Sequence, residues 1–147
     1  MAYLVRFAST VQDLDQGYAL RRDVFETEQN IPRPLDRDPY DYAADHVVVF
    51  DEQGRCVGTG RIVRIDARTA QVGRMAVAKD VRKNGVGALV LDALERMAAM
   101  RGLTDVLVAS QLPAEAFYAK RGFARQGEPF ADQGVPHVMM KKTISSR

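Results

Sequence analysis

Residues 82–89 read Arg82-Lys83-Asn84-Gly85-Val86-Gly87-Ala88-Leu89. They follow an apolar run that ends near Val77 and open a segment, Gly85 to Arg101, whose apolar residues recur at helical spacing. Glycines at such a strand-to-helix turn let the backbone approach a ligand closely, because no Cβ stands in the way. The first turn of a helix also presents unpaired N–H groups and the positive end of its dipole, and Arg82 and Lys83 add charge there. The stretch predicts a phosphate site, although two glycines beside a helix start are also compatible with plain turn chemistry.

The spacing differs from those of two widespread phosphate-binding loops. No Gly-Lys-Ser/Thr follows the spacer that a Walker A loop requires. The first of the three glycines of a dinucleotide fingerprint is missing, and no parallel βαβ unit surrounds the stretch. It is neither of these motifs.

The rest of the chain alternates between strand-like and helix-like patterns. The predicted strands are Tyr3–Phe7, His46–Phe50, Arg55–Ile65, Ala70–Ala78, Asp105–Ala109, Phe123–Gly127 and Val135–Lys141. The predicted helices are Thr10–Glu28, Gly85–Arg101 and Pro113–Arg121. Ile31–Tyr42 holds three prolines and three aspartates and is predicted to be a loop. This order predicts an α/β domain with a mixed sheet.

The ends of the helices carry recognisable signals. Ser9 or Thr10 is placed as the N-cap of the first helix. Gly102 and Gly122 lie where the second and third helices should stop. Side chains that recur at intervals of three and four predict the buried stripe of an amphipathic first helix. They are Val11, Leu14, Tyr18, Arg22 and Phe25.

Composition bounds the class of protein. The 147 residues fit one domain spanning 1–147, and 46% hydrophobic with 27% charged residues is typical of a globular protein. A net charge of +2 disfavours nucleic acid as a partner. No stretch is apolar for long enough to suggest a membrane span, and no signal peptide is evident. The single cysteine, Cys56, excludes an internal disulfide, and we expect a cytoplasmic protein.

Two motifs resemble those of the GNAT superfamily of N-acetyltransferases. Arg82-x-x-Gly85-x-Gly87, after a strand with Met75-Ala76-Val77, resembles the R/Q-x-x-G-x-G/A signature that holds the pyrophosphate of acetyl-coenzyme A. Ala116–Phe123 resembles the F-Y-x-x-x-G-F block of the same superfamily. The likeness extends over essentially the whole chain to the ElaA-like or YjcF-like bacterial branch, through residues 22–29, 45–46, 58–61, 73–75 and 134–140.

The resemblance implies a single-domain GNAT fold, with a mixed sheet of about six to seven strands flanked by helices. It also implies a splay between the strands at about 70–78 and 105–110, where the pantetheine arm of acetyl-coenzyme A would lie. No metal is implied. The cofactor-binding residues that it implies are Met75, Ala76, Val77, Arg82, Lys83, Asn84, Gly85, Val86, Gly87, Ala88, Gln111, Phe117 and Tyr118. Gln111 stands where the superfamily often has asparagine, and glutamine is usual in this branch.

The resemblance also implies catalytic roles. Tyr118 aligns with the usual general acid of the family. A phenol suits this role, because it is protonated at neutral pH and can donate to a departing thiolate. The alternative is that Tyr118 packs the last helix on the sheet. A backbone N–H near Val77 would face the thioester oxygen. Glu28 is the candidate general base, with a solvated helix-end carboxylate as the alternative.

The acceptor stays open at this stage. We expect a primary amine of a small molecule, with His137 and Glu28 as candidate substrate contacts and His46 as a structural residue. Asp36, Asp38 and Asp41 suggest a cationic acceptor, although acidic loops are usually just solvated. A homodimer is common among such proteins. Acetylation of a protein or tRNA amine, or acyl-coenzyme A binding without catalysis, are the rival functions.

Overall fold

Seven β-strands form one mixed sheet in the computed structural model, which describes residues 2–30, 37–132 and 134–144. The strands are β1 Leu4–Phe7, β2 Asp45–Phe50, β3 Cys56–Arg64, β4 Thr69–Val77, β5 Asp105–Gln111, β6 Ala124–Asp132 and β7 Val135–Thr143. Their order across the sheet is β1-β2-β3-β4-β5-β7-β6. Among these strands of the described chain, only β4 and β5 are parallel neighbours. The predicted α/β class and the predicted order of elements are confirmed.

Helices cover both faces of the sheet. The longer ones are α1 Val11–Arg21, its π-helical continuation Arg22–Glu28, and α2 Val86–Met100. The shorter ones are α3 Glu115–Ala119 and the 3₁₀ turns Pro39–Tyr42, Lys79–Val81 and Leu112–Ala114. No helix within these described ranges is long and apolar enough to cross a membrane.

The buried run in β2 follows from this layering. A Cβ added at Gly58 of β3 would meet Val86 and Val90 of α2, whereas one at Gly17 of α1 would meet Thr59 and Val48. Consecutive residues of a strand point to opposite faces. Since α1 lies on one face and α2 on the other, Val47, Val48 and Val49 are all buried and no polar alternation is seen in β2.

The first helix departs from its prediction in two respects. Thr10 is its N-cap, accepting a hydrogen bond from the Asp13 N–H at 3.1 Å, but Val11 is 70% exposed rather than buried. The predicted helix reaches Glu28, yet its last seven residues wind as a π-helix, in which the Gln29 N–H reaches Val24 O at 2.9 Å. The buried residues Asp13, Gly17, Arg21 and Val24 recur at helical spacing one position before the predicted stripe, so Val11 falls outside the buried face.

Of the other predicted boundaries, some agree with the structure and some do not. Gly102 and Gly122 end their helices with φ of 77° and 94°, as predicted. β6 runs on to Asp132 beyond the predicted end, because a bulge between Gln126 and Phe130 absorbs Gly127 and lets pairing with β7 resume. The predicted loop includes the 3₁₀ turn Pro39–Tyr42, whereas residues 31–36 lie outside the described residues.

The sheet opens between its two parallel strands. Pairing of β4 with β5 runs from Thr69↔Asp105 to Val72↔Val108 and stops there, although the strands continue to Val77 and Gln111. On the other side of β4, pairing with β3 shifts between Arg61↔Gly73 and Thr59↔Ala76. Such an irregularity bends a strand away from its neighbour. The predicted splay is confirmed.

The close contact of β3 with α2 can be tested with two glycines in neighbouring strands. We expect Gly58→Ala to lower the free energy of unfolding by about 1–3 kcal/mol, because its Cβ would lie 2.6 Å from Val86 Cγ1 in a filled core. The matched control is Gly73→Ala, whose Cβ would meet only Arg61 Nε at 3.9 Å; it should change stability by less than about 1 kcal/mol. Urea unfolding of both variants measures the difference, and equal stabilities would contradict the packing described.

Candidate active site

The splay between β4 and β5 forms the mouth of a cleft of about 870 Å³. This volume lies within the usual range of small-molecule sites. Its walls include Gly73–Val77 of β4, Gly85–Ala88 at the start of α2, Val108–Gln111 of β5, and Phe117 and Tyr118 of α3. The cleft therefore brings both sequence motifs to one place.

The end of β4 presents backbone groups to the cleft. The Ala78 N–H donates to Val57 O at 2.8 Å, on the β3 side. Because backbone groups alternate along a strand, the N–H and C=O of Val77 point to the opposite edge, where β5 has already diverged. This edge of Val77 is the place from which a backbone N–H can meet a bound carbonyl oxygen.

The glycine turn faces the same space. Gly85 is the N-cap of α2 in a left-handed conformation with φ of 86°, and no side chain of the described residues caps it. A Cβ at Gly85 would meet no described atom within 4 Å, and one at Gly87 would lie 3.4 Å from the Phe117 ring. The first N–H groups of α2 are thus open to a ligand, as the phosphate hypothesis requires.

The arginine of this turn has partners within the protein. Arg82 donates to Val77 O from Nε at 3.1 Å and from Nη2 at 2.9 Å. Its guanidinium also forms a two-pronged ion pair with Glu28, with Nη2 2.7 Å from Oε1. Lys83 lines the cleft, but the side chain of Asn84 does not, because its Nδ2 donates to the hydroxyl of Tyr3 at 3.2 Å.

Glu28 lies outside the lining of the cleft that holds Tyr118. The hydrogen bonds from Arg82 hold the pKa of its carboxyl below the ordinary value. A carboxylate with a lowered pKa is a weaker base for an ammonium group. The structure therefore brings Glu28 to the phosphate-side arginine and not to the other predicted catalytic residue.

Tyr118 is buried at the centre of the site, with 7% of its surface exposed. Its hydroxyl donates to Met75 Sδ at 3.3 Å, across the mouth of the splay. The rings of Phe117 and Phe123 contact it edge-on at centroid distances of 5.0 and 5.7 Å. Burial raises the pKa of Tyr118 to about 12, so its phenol stays protonated across the physiological range.

The remaining predicted contacts divide between the cleft and the core. Gln111 lines the cleft and donates to Gln29 Oε1 at 3.0 Å. His137 also lines it, stacked on Phe130, with Nδ1 2.7 Å from Val135 O. His46 is buried with Nε2 3.0 Å from Asp41 O and has the structural role expected of it.

The acidic residues of the 37–42 segment do not offer free carboxylates. Asp41 accepts from Arg21 at 2.9 Å and from Arg61 at 2.8 Å; burial opposes its ionisation, but these hydrogen bonds hold its pKa well below the usual range. Asp38 accepts from Arg61 at 2.6 and 2.9 Å and from Arg74 at 2.9 Å. The suggestion of a cationic acceptor is therefore wrong for Asp38 and Asp41, because arginines already neutralise them. Asp36 lies outside the described residues.

Sequence reasoning missed three arginines that line the cleft. Arg61 and Arg74 come from neighbouring strands, and Arg121 lies over the Phe117 ring at 4.1 Å and donates to Phe117 O. A signal was present in each case. Arg61 and Arg74 each follow a glycine within a predicted strand, where an interior arginine needs a partner, and Arg121 lies one helical turn after Phe117.

A family model described as an acetyltransferase (GNAT) domain matches residues 16–144. The chain belongs to this family. The GNAT chain is 34% identical to the uncharacterised N-acetyltransferase YjcF of Bacillus subtilis over 136 residues, which is 92% of this chain and 96% of that one.

Solved structures agree with the family. The GNAT chain matches a Lactobacillus plantarum protein assigned to the N-acetyltransferases with a TM-score of 0.90 at 27% identity, over 99% of this chain and 100% of that one. It matches Escherichia coli ElaA with a TM-score of 0.82 at 24% identity, over 96% and 98%, a likeness of fold. The predicted resemblance to the ElaA-like or YjcF-like branch is confirmed.

The two roles open to Glu28 differ in their kinetics. We expect Glu28→Gln to lower turnover by less than about tenfold, because the Arg82-bound carboxylate is a weak base, whereas loss of a general base costs about 10²–10⁴-fold. Thiol release with acetyl-coenzyme A and a panel of amines measures it. Asp23→Asn, an exposed carboxylate of the same helix, is the control. A fall of 10²-fold or more, specific to Glu28→Gln, would instead assign it the role of base.

Proposed function

We propose that this GNAT protein transfers the acetyl group of acetyl-coenzyme A to a primary amine of a small molecule, by direct attack of the amine on the thioester. The observation that carries the proposal is the hydrogen bond that the Tyr118 hydroxyl donates to Met75 Sδ at the mouth of the splay. The glycine turn, the open edge of β4 and the tyrosine lie around one cleft. We infer a cytoplasmic enzyme from the composition and from the family.

The residues of the turn fit the pyrophosphate of the donor. The start of α2 offers backbone N–H groups and the positive end of a helix of 15 residues. The space at Gly85 would admit a phosphate, since nothing described lies within 4 Å of a Cβ built there. Lys83 adds positive charge at the cleft wall. Arg82 also lines the cleft, with its charge balanced by the ion pair with Glu28.

The edge of β4 fits the acyl end of the donor. When bound, acetyl-coenzyme A supplies a thioester carbonyl and a thiolate leaving group. The Val77 N–H faces the gap between β4 and β5 and would donate to the carbonyl oxygen as negative charge develops on it. A preorganised backbone donor of this kind contributes roughly 3 kcal/mol to the transition state. Gln111, at the end of β5, faces the same gap from the other side.

Tyr118 would assist the departure of the thiolate. The amine nitrogen forms a bond to the carbonyl carbon, the carbon–sulfur bond breaks, one proton leaves nitrogen and one proton ends on sulfur. With a pKa of about 12, against about 8.5 for an ordinary thiol, the phenol is a weaker acid than the thiol it forms. Tyr118 therefore gives its proton to sulfur only as it regains one from the nitrogen side, directly or through water.

The phosphate turn can be tested with an isosteric pair. We expect acetyl-coenzyme A to raise the melting temperature of the wild-type protein by mass action. Gly87→Asp should abolish that shift, because it places negative charge beside the phosphates. Gly87→Asn has the same shape without the charge and should retain part of the shift. If both variants fold and bind the donor as the wild type does, the assignment of this turn is wrong.

Tyr118 allows binding to be separated from chemistry. Tyr118→Phe keeps the ring between Phe117 and Phe123 but removes the donor to sulfur, so turnover should fall by roughly 10²–10⁴-fold. The Michaelis constant for acetyl-coenzyme A should stay near its original value, because the lost interaction belongs to the transition state. The control is Tyr42→Phe, the same change at a side chain that is almost fully exposed.

An unaltered turnover number in a folded Tyr118→Phe variant would make this tyrosine structural. Donor binding without thiol release, across a broad panel of amines, would favour acyl-coenzyme A binding without catalysis.

A further inference from the structure

Five side chains form a charged cluster between the 37–42 segment and the cleft, here named the arginine cluster. Its members are Arg21, Asp38, Asp41, Arg61 and Arg74. Arg21 and Asp41 lie at its buried end, with side-chain exposures of 2% and 3%. Arg61 and Arg74 lie at the other end and line the cleft. The cluster thus connects the core to the space that a substrate must enter.

Arg74 is the least satisfied member of this cluster. Its Nη2 donates to Asp38 Oδ2 at 2.9 Å, but Asp38 also accepts two hydrogen bonds from Arg61. Nε of Arg74 is buried without a hydrogen-bond partner within the described part of the chain. Nη1 makes no hydrogen bond to a described residue, and the side chain is 23% exposed. Burial and the nearby charge of Arg61 lower the pKa of Arg74, as expected for a cation short of anionic neighbours.

The backbone of Arg74 is strained in a way that aims this side chain. Its φ is 53°, in the left-handed region that is uncommon for a residue with a Cβ. It lies within the irregular pairing of β4 with β3, between Gly73 and Ala76. Strained conformations of this kind cluster at functional sites and ligand clamps. The same irregularity that opens the splay presents Arg74 to the cleft.

Arg74 also lines the cleft that holds Tyr118. It precedes Met75, whose sulfur accepts the hydrogen bond of Tyr118. Since Arg74, Met75 and Tyr118 line one cleft, an acceptor whose amine lies beside Tyr118 can place another of its groups beside Arg74. A small acceptor can present its amino group and an anionic group to these two positions at once.

We propose that Arg74 binds a carboxylate of the acceptor, so that the substrates are small amines carrying a carboxylate a few bonds from the amino group. The inference rests on the proposed acetyl transfer. A guanidinium matches a planar carboxylate and always carries its charge. A phosphate dianion fits less well, because the Asp38 carboxylate lies 2.9 Å from Nη2 and repels a second negative charge.

Binding of product-like probes tests this without any need for turnover. N-acetylglycine carries the carboxylate, and N-acetylglycinamide is the same molecule without the charge. We expect saturable binding of N-acetylglycine to the wild-type protein, at least tenfold tighter than that of the amide, measured by chemical-shift perturbation with and without coenzyme A. Arg74→Gln should weaken N-acetylglycine binding by about 10- to 100-fold, the usual effect of losing a charge-assisted hydrogen bond, and should leave the amide unchanged. Arg68→Gln, an exposed arginine outside the cleft, is the control.

Turnover supplies the second test. Thiol release is measured with pairs of acceptors that differ only in the carboxylate, such as phenylalanine and phenethylamine. The wild-type protein should show a higher kcat/KM for the carboxylate-bearing member, and Arg74→Gln should remove this preference while leaving acetyl-coenzyme A binding intact.

The outcomes separate the two proposals. Any of four results would overturn the carboxylate site. These are equal binding of both probes, no saturable binding of N-acetylglycine, displacement of N-acetylglycine by inorganic phosphate at equal concentration, and an Arg74→Gln variant that behaves as the wild type. The acetyl-transfer proposal would be overturned instead if the wild-type protein bound N-acetylglycine through Arg74 but did not bind acetyl-coenzyme A or released no thiol.

Discussion

The parallel pairing of β4 with β5 ends at Val72 and Val108, and the working parts of the molecule depend on that ending. If β4 and β5 stayed paired to their ends, the backbone groups at the end of β4 would be hydrogen-bonded to β5 and the space between the strands would be closed. Because β4 bends where its register against β3 shifts, the Val77 edge, the start of α2 and Tyr118 surround a gap. Filled layers on both faces of the sheet hold that gap open, since α1 and α2 pack against β3 from opposite sides.

The arginine cluster is the second constraint, because it sets the character of the acceptor side. Buried ions lose hydration, and hydrogen bonds of good geometry are needed to offset the loss. Asp41 meets this condition through Arg21 and Arg61, and Asp38 meets it through Arg61. Arg74 shares a carboxylate with Arg61 and keeps donors without partners among the described residues. Because Arg74 lies at the cleft end of this network, its unused donors are placed where a ligand can accept from them.

Most strands and helices were predictable from the sequence, because apolar period and turn residues act locally. The glycine turn and the tyrosine block were recognisable for the same reason. The π-helical winding of Arg22–Glu28 was not, since it changes the period within one continuous pattern. The partners of charged residues were also unpredictable: Glu28 meets Arg82 across 54 positions, and Arg74 meets Asp38 across 36. Long-range ion pairs leave no periodic signal in the chain.

The sequence by itself determined the class of fold, the order of its elements, the family and the two motifs that meet at the cleft, because each depends on residues that are close together in the chain. Only the tertiary structure decided which side chains share the site. It turned the aspartates of the 37–42 segment from candidate substrate contacts into partners of arginines, and it paired Glu28 with Arg82. It also brought Arg74 into the cleft that Tyr118 lines. The physical reason is that charge pairing and burial are settled by distances through space, which the packing of the sheet between its helices fixes.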